Sequence, residues 1–339
     1  MLRSTRCGGR AWETRLIVKA TPGEIANETT GSDAMRTTAD ATGTAARVAG
    51  RYSMSPPLGG RVAVTGSSGR LGQYIIHALL AVGYDVVGLD RTPGTDDVRT
   101  IQGSILDADC LDAAFAGVDA VVHAAALLSR GNTQADIFEV NTRGTWMVFD
   151  AATRARVHRV VSFSSECAVG QCFQRIARPP RYLPIDEDHP LEPQDAYSLS
   201  KQLGEAIAAS FRRAGGPSAV VLRPTWVMFP MPEAELAARR ALGHGDMWCY
   251  VAPADVAAAT VAAVAFDTEF DTFFLGAPNT LCEEPTLDRL RARWGYLPEL
   301  RRPDFYAGDP TAGLYDSSKA RQKLGFAPTR EWRTLLTSE

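Results

Sequence analysis

The stretch Arg61-Val-Ala-Val-Thr-Gly-Ser-Ser-Gly-Arg-Leu-Gly72 decides the fold. It opens on a short apolar run, Val62 to Thr65, and passes at once into glycines at 66, 69 and 72. Beyond them Leu71, Tyr74, Ile75, Ala78 and Leu79 recur at the i, i+3, i+4, i+7 spacing of a helix with one buried face. In a strand, a glycine turn and an amphipathic helix so ordered, the backbone turns sharply and helix packs closely on strand. Phosphate oxygens reach the amides at the start of such a helix. Gly66, Ser68, Gly69, Arg70, Leu71 and Gly72 are therefore the expected cradle of a dinucleotide.

Working outward, the same texture continues. Asp85 to Asp90, Arg99 to Gln102, Asp119 to His123, Arg159 to Phe163 and Ala219 to Arg223 are short, mostly apolar runs bounded by turn residues and separated by helical segments. Strands apolar on both faces, alternating with helices, predict a parallel sheet covered on both sides. The expected class is α/β, a doubly wound parallel sheet of the Rossmann kind with a small C-terminal substrate-binding subdomain. The expected division gives 59–225 with 250–265 to the dinucleotide-binding domain, and 226–249 with 266–339 to the small substrate region. The second strand ends at Asp90, where an acid accepts hydrogen bonds from an adenosine ribose. That favours NAD, because a carboxylate repels a 2′-phosphate; Arg91 follows and can pair with one, so NADP stays open.

Residues 1–58 are of another kind. They are rich in Thr, Ala, Gly and Arg without a sustained period, so disorder is expected there. The first 20 residues carry five basic groups and one acid, a faint transit-peptide signature without its apolar helical face. Met54, just before the first strand, is the stronger alternative as the true start.

The net charge of −3 gives no electrostatic case for nucleic acid or an anionic membrane. Cys7, Cys110, Cys167, Cys172, Cys249 and Cys282 form no CxxC pair and have no histidines at ligand spacing. Reduced thiols, a reducing cytoplasmic setting and no metal are expected. No apolar run reaches the length of a membrane helix, which predicts a soluble protein. His77, His123, His158, His189 and His244 are scattered and read as packing or surface residues. Asp186-Glu187-Asp188 reads as a loop ahead of the helix at Tyr197, solvated or part of a pocket rim.

Tyr197 and Lys201 stand four apart on a predicted helix and project from one face. Leu199, Leu203, Ile207 and Phe211 form an opposite stripe, to be buried against the sheet or a partner subunit. A phenol of ordinary pKa about 10 is a poor base at neutral pH; bringing it near 7 takes roughly 4 kcal/mol, which nearby cations can supply.

The TGxxGxxG spacing at Thr65–Gly72 together with Tyr197-Ser-Leu-Ser-Lys201 resembles the short-chain dehydrogenase/reductase superfamily, in its extended branch, the NAD-dependent epimerase/dehydratase group. The resemblance covers about residues 60–335. It rests also on Ala124-Ala-Ala126, on Asn141 in Val-Asn-Thr-Arg-Gly-Thr, on Arg223-Pro224, on Asp255-Val256 and on Ser317 to Phe326. It implies cofactor contacts at Ala124, Ala125, Ala126, Tyr197, Lys201 and Pro224, and adenine contacts at Ser104 and Ile105, where the family usually has Asp and an apolar residue. It further implies a homodimer packed through helices near 135–157 and 194–213.

The resemblance also implies a catalytic serine five residues before a glycine at the end of the fifth strand. Counting back from Gly170 gives Ser165, which would hold the reacting oxygen beside Tyr197. Asn141 is implied in a proton relay. Ser165, Glu166, Cys167 and Arg223 form the expected substrate-facing set. The family's dehydratases carry Glu where this chain has Cys167. Glu166 is one place earlier, and alternation along a strand end would point it the other way. Epimerases of nucleotide sugars need a long excursion after the sixth strand, whereas here only residues 225–254 lie between Pro224 and Asp255. That segment, with Met231, Pro232, Arg239, Arg240 and Trp248, suits a small lid. Glu166 would repel a carboxylate, so a neutral polyol, aldose or other alcohol fits best; as a solvated surface acid it would have no role. The expected activity is NAD-dependent oxidation or reduction at a CH–OH group. The alternatives are a sugar or nucleotide-sugar epimerase and a non-catalytic NAD-binding regulator.

Overall fold

The computed structural model describes residues 60–94, 97–128, 131–241, 245, 247–329 and 331–337. The expected disordered segment 1–58, Met54, Cys7 and His244 lie outside the described residues. The main sheet has seven strands: β1 (Arg61–Thr65), β2 (Asp85–Asp90), β3 (Thr100–Gln102), β4 (Ala120–His123), β5 (Arg159–Phe163), β7 (Ser218–Pro224) and β9 (Phe270–Leu275). Their order is β3-β2-β1-β4-β5-β7-β9, and every pair is parallel. Two-residue strands make two minor pairs, β6 (Tyr182–Leu183) with β10 (Glu299–Leu300) and β8 (Met231–Pro232) with β11 (Leu336–Thr337).

The central strands are apolar throughout because each feeds two cores. Val62 and Val64 of β1, Val122 of β4, Val161 of β5 and Val220 and Leu222 of β7 meet Ile75 and Leu79 of helix α1 (Arg70–Ala81) and Val256 and Ala259 of a helix over Pro253–Ala265. The intervening Ala63, Val121, Val160 and Val221 meet Leu111 and Phe115 of α2 (Ala108–Phe115) and Val148 and Phe149 on the other face. Period-two alternation thus distributes consecutive side chains to opposite layers. Burying each such Val, Leu or Phe contributes roughly 1.5–3 kcal/mol. A third core gathers Leu183, Trp248, Tyr250, Phe274, Leu290, Leu314 and Trp332.

On the second face the chain passes from α3 (Gln134–Phe138) through a π-helical turn, Glu139–Arg143, into α4 (Gly144–Arg154). Thr133 and Asp136 close a capping box at its start. The long helix α5 (Ala196–Arg213) follows β6, and α6 (Glu233–Arg239) and α7 (Pro253–Ala265) follow β7. The C-terminal part adds α8 (Thr286–Trp294), α9 (Pro303–Gly308) and α10 (Ser318–Leu324).

Two expectations need correction here. β9 lies within 266–339, assigned above to the small region, yet it pairs with β7 from Ala219 to Pro224 and completes the main sheet. Asp186 and Glu187 are not a solvated loop: Asp186 accepts from the Tyr182 hydroxyl at 2.6 Å and Glu187 from the Phe274 backbone N–H at 2.8 Å. Along the outer side of β9 and just beyond it, Thr272 N–H is bonded by Asp271 and Gly276 N–H by Ser317 in the same way. Asp271 in turn pairs with Lys319 and Lys323. Among the described residues no helix is long and apolar enough to cross a membrane.

Candidate active site

The glycine turn is built by close approach. Gly66 has φ +74, and a Cβ there would sit 2.8 Å from the Ala125 backbone nitrogen. A Cβ on Gly72 would lie 2.1 Å from the Gly66 carbonyl, so α1 can start here only on glycine. Gly69 precedes α1 without a side-chain cap, which leaves the first amides of this helix facing outward. Asp90 at the end of β2 folds over the turn, accepting from Ser68 N at 3.0 Å and Thr92 N at 2.9 Å. Arg70 and Leu71 open the helix, and the Arg70 guanidinium lies 4.0 Å from the Phe229 ring centroid. Arg91 is exposed. Ser104 accepts from Leu106 N, while Ile105 is buried against Gly144. Ala124 to Ala126 are half-buried beyond β4, and Pro224 ends β7. A glycine cradle, free helix amides and a carboxylate at the second strand end are a donor and acceptor set that fits NAD.

At the neighbouring strand ends, β5 stops at Phe163 and the chain tightens into a 3-10 turn over Glu166–Val169, closed by Gly170 at φ +88. A Cβ on Gly170 would lie 2.1 Å from the Glu192 carbonyl. Ser165 begins the turn and accepts from Cys167 N at 3.2 Å. α5 enters opposite, capped by Asp195, which accepts from Tyr197 N and Ser198 N. Its sheet-facing side carries Ser200, Lys201, Gly204 and Ala208, so the Lys201 ammonium reaches the Phe163 carbonyl at 2.9 Å. Lys201 Nζ is 5.7 Å from the centroid of the Tyr197 ring, and the Ser165 side chain is near enough to the Tyr197 phenol to hold its pKa down. Ser165, Tyr197 and Lys201 therefore converge at one place.

Burial, with the Cys167 thiol next, pushes the Tyr197 phenol up; the nearby Ser165 side chain acts the other way. Desolvation lowers Lys201 to about 8. On the protein side the Lys201 ammonium is bonded to the Phe163 carbonyl and desolvation of the phenolate dominates, so the expected lowering of the phenol rests on the lysine together with the nicotinamide ring.

Four further expectations change. Glu166 is 2% exposed, so it is no solvated surface acid. It and Cys167 lie in the 3-10 turn, where strand alternation does not hold, so the directional argument against dehydration fails; only residue identity remains. Arg223, expected to face substrate, is buried and bidentate on Glu205, at 2.8 and 2.7 Å. Asn141, expected in a proton relay, clamps Leu127 through its backbone N–H and C=O and donates to Ser200. Of the expected stripe on α5, Ile207 and Phe211 pack against the core on this face of the sheet, Leu199 is exposed, Leu203 and Ile207 line a groove with Phe138 and Trp146, and Phe211 meets Trp146 edge-on.

Several groups escaped the sequence reading. Glu205 takes a third bond from Ser164 at 2.5 Å. His123 bridges Thr65 and Thr145. Phe173 stands edge-on to Tyr197 at 6.3 Å. Tyr315 is buried, its phenol pushed up by desolvation and then by the charge of Glu166. Only the four-residue step from Lys201 to Glu205 was visible as a signal. The five described cysteines form no disulfide, and among the described residues no His, Cys, Asp and Glu cluster is placed to hold a metal ion.

A doubly wound sheet with a glycine turn and a serine, tyrosine and lysine at its carboxyl edge defines a dinucleotide-binding enzyme fold. The family model for the NAD dependent epimerase/dehydratase family matches residues 62–241, and the chain belongs to that family. A putative UDP-glucose 4-epimerase of Methanocaldococcus jannaschii is 30% identical over 48% of this chain and 54% of that protein. The chain therefore spans about half the length of the first curated relatives it matches. An L-arabinose 1-dehydrogenase (NAD(P)(+)) of Haloferax volcanii is 34% identical over 50% of this chain and 67% of the relative. A solved short-chain dehydrogenase/reductase superfamily protein of Agrobacterium tumefaciens with bound NAD is 26% identical, has a TM-score of 0.62, and aligns over 81% of this chain and 94% of its own.

Proposed function

We propose that the chain is an NAD-dependent oxidoreductase acting on the CH–OH group of a small neutral sugar, polyol or related alcohol. The observation that carries this reading is the meeting of Ser165, Tyr197 and Lys201 beside a cradle suited to a dinucleotide, in a chain with only residues 225–254 between Pro224 and Asp255. NAD, when bound, supplies the hydride acceptor and a positive ring charge next to the phenol. Ser165 holds the substrate oxygen, Tyr197 exchanges its proton, and Lys201 keeps a positive charge beside both. Glu166, Cys167 and Tyr315 face the substrate; NADP remains an alternative cofactor through Arg91. Turnover of a panel of alcohols and aldoses, read as NADH formation, tests the reading. Interconversion of UDP-sugars without added NAD, and no turnover of any free alcohol, would replace it by the epimerase alternative, which the Methanocaldococcus relative favours.

Because the phenol is pushed up, Tyr197 is a proton donor at neutral pH and must ionise for oxidation. Oxidative kcat/KM is expected to climb between pH 6 and 8, the upper value being where Lys201 loses its charge. Tyr197→Phe is expected to lower kcat about 10² to 10⁴-fold with NADH binding kept, as fluorescence would show.

The exposed Trp146, Phe138 and Leu199 beside the α4 and α5 groove support a homodimer packed across that face, which mass photometry tests. The proposed setting is the reducing cytoplasm, on the sequence ground that the cysteines show no CxxC spacing.

A further inference from the structure

Buried polar groups between the cofactor turn and α5 form one continuous chain. Thr65 Oγ1 lies 2.9 Å from His123 Nδ1, and His123 Nε2 lies 2.9 Å from Thr145 Oγ1. The Thr145 hydroxyl has a single proton and donates it to the Asn141 carbonyl at 2.6 Å. It must therefore accept from His123, which places the ring proton on Nε2. Nδ1 is then an acceptor, and Thr65 donates into it while accepting from Ala125 N at 3.3 Å. From Asn141 the carboxamide donates to Ser200 at 3.2 Å, and the Ser200 hydroxyl donates to the Tyr197 carbonyl at 2.7 Å. Every bond has one direction, and the set closes only on an uncharged ring; a second ring proton would leave the Thr65 hydroxyl without its acceptor. Thr65 precedes Gly66 and Ala125 touches it, so one end of the chain sits in the cradle. The other end sits on the helix that carries Tyr197 and Lys201.

We infer that His123, held as the neutral Nε2–H tautomer, is a positioning residue that ties the dinucleotide turn to the catalytic helix. The ring is buried, with both of its nitrogens bonded inside the protein. Burial lowers its pKa to about 3, and the charge of Lys201 acts in the same direction, so the ring stays in the required form at neutral pH. The inference rests on the proposed Ser165, Tyr197 and Lys201 reading only where turnover is measured.

Hydrogen exchange of the full chain with ADP as probe tests the tie, because ADP can fill the phosphate turn without a nicotinamide to touch α5. In the wild type, ADP is expected to slow exchange at 66–73 and also at 196–204. In His123→Phe the slowing at 66–73 remains and that at 196–204 disappears. His123→Gln, whose carboxamide offers one donor and one acceptor as the neutral ring does, restores it. Thr145→Val, which keeps the ring and removes the next link, is expected to uncouple in the same way should the phenylalanine variant not fold. Slowing confined to 66–73 in the wild type, or unchanged slowing of both segments in the phenylalanine and valine variants, overturns the inference. With a substrate from the alcohol panel, the uncoupled variant is expected to lose about tenfold in kcat with its NADH affinity kept. The reverse pattern also overturns it. If no alcohol is turned over, the functional reading fails while the exchange result still decides this one.

Discussion

Two buried polar networks meet α5, one charged and one neutral. The Glu205 carboxylate is gripped twice by the Arg223 guanidinium and takes a further bond from Ser164, next to the serine of the site. His123, Thr145 and Asn141 reach the same helix with no formal charge, each ring nitrogen having one assigned partner and the Thr145 hydroxyl one donor and one acceptor. A buried ion pair holds by compensation, so either partner alone is a liability. A neutral chain holds by direction, so each link is modest and the protonation state is what must be kept.

The sharpest way to break this contrast is to remove one charge. Arg223→Met leaves Glu205 buried and unpaired, and is expected to cost about 3–5 kcal/mol in urea unfolding. The double variant Glu205→Leu/Arg223→Met should recover most of that; a double as unstable as the single would mean that shape, not charge, holds the site. Acid probes the neutral network instead. His123 is about 3 in the fold against 6.5 when unfolded, so the unfolded chain binds the extra proton and stability falls as pH drops below 6.5. At pH 5 this amounts to roughly 2 kcal/mol, and His123→Gln should lack that share of the slope, leaving the part due to His189, which burial also lowers. The smallest effect belongs to Thr145→Val, expected to cost about 1–2 kcal/mol by orphaning the Asn141 carbonyl and the ring N–H. A loss as large as that of Arg223→Met would erase the distinction between the two networks.

What could be read in advance follows from the same physics. β1, the glycine turn and α1 are local in sequence, so spacing alone shows them. Tyr197 and Lys201 are legible because one helical turn separates them. β9 was missed because Phe270-Asp-Thr-Phe-Phe-Leu becomes a sheet strand only by pairing with β7, some 50 residues earlier in the chain, which periodicity does not report. Arg223 looked like a substrate ligand because nothing in the sequence announces that Glu205 faces it. Glu166 was judged by strand alternation, and the tight turn it begins removes that rule.

Three outward backbone N–H groups along β9 and just beyond it, on Thr272, Phe274 and Gly276, are already engaged by side chains, from Asp271, Glu187 and Ser317. An edge strand with open donors invites another chain to add itself and the sheet to grow without limit. Here an approaching strand would have to displace two carboxylates and a hydroxyl to gain bonds the edge has already made. The width of the sheet is thereby closed from within, and the long parallel core is kept out of edge-to-edge aggregation by three residues far from the chemistry.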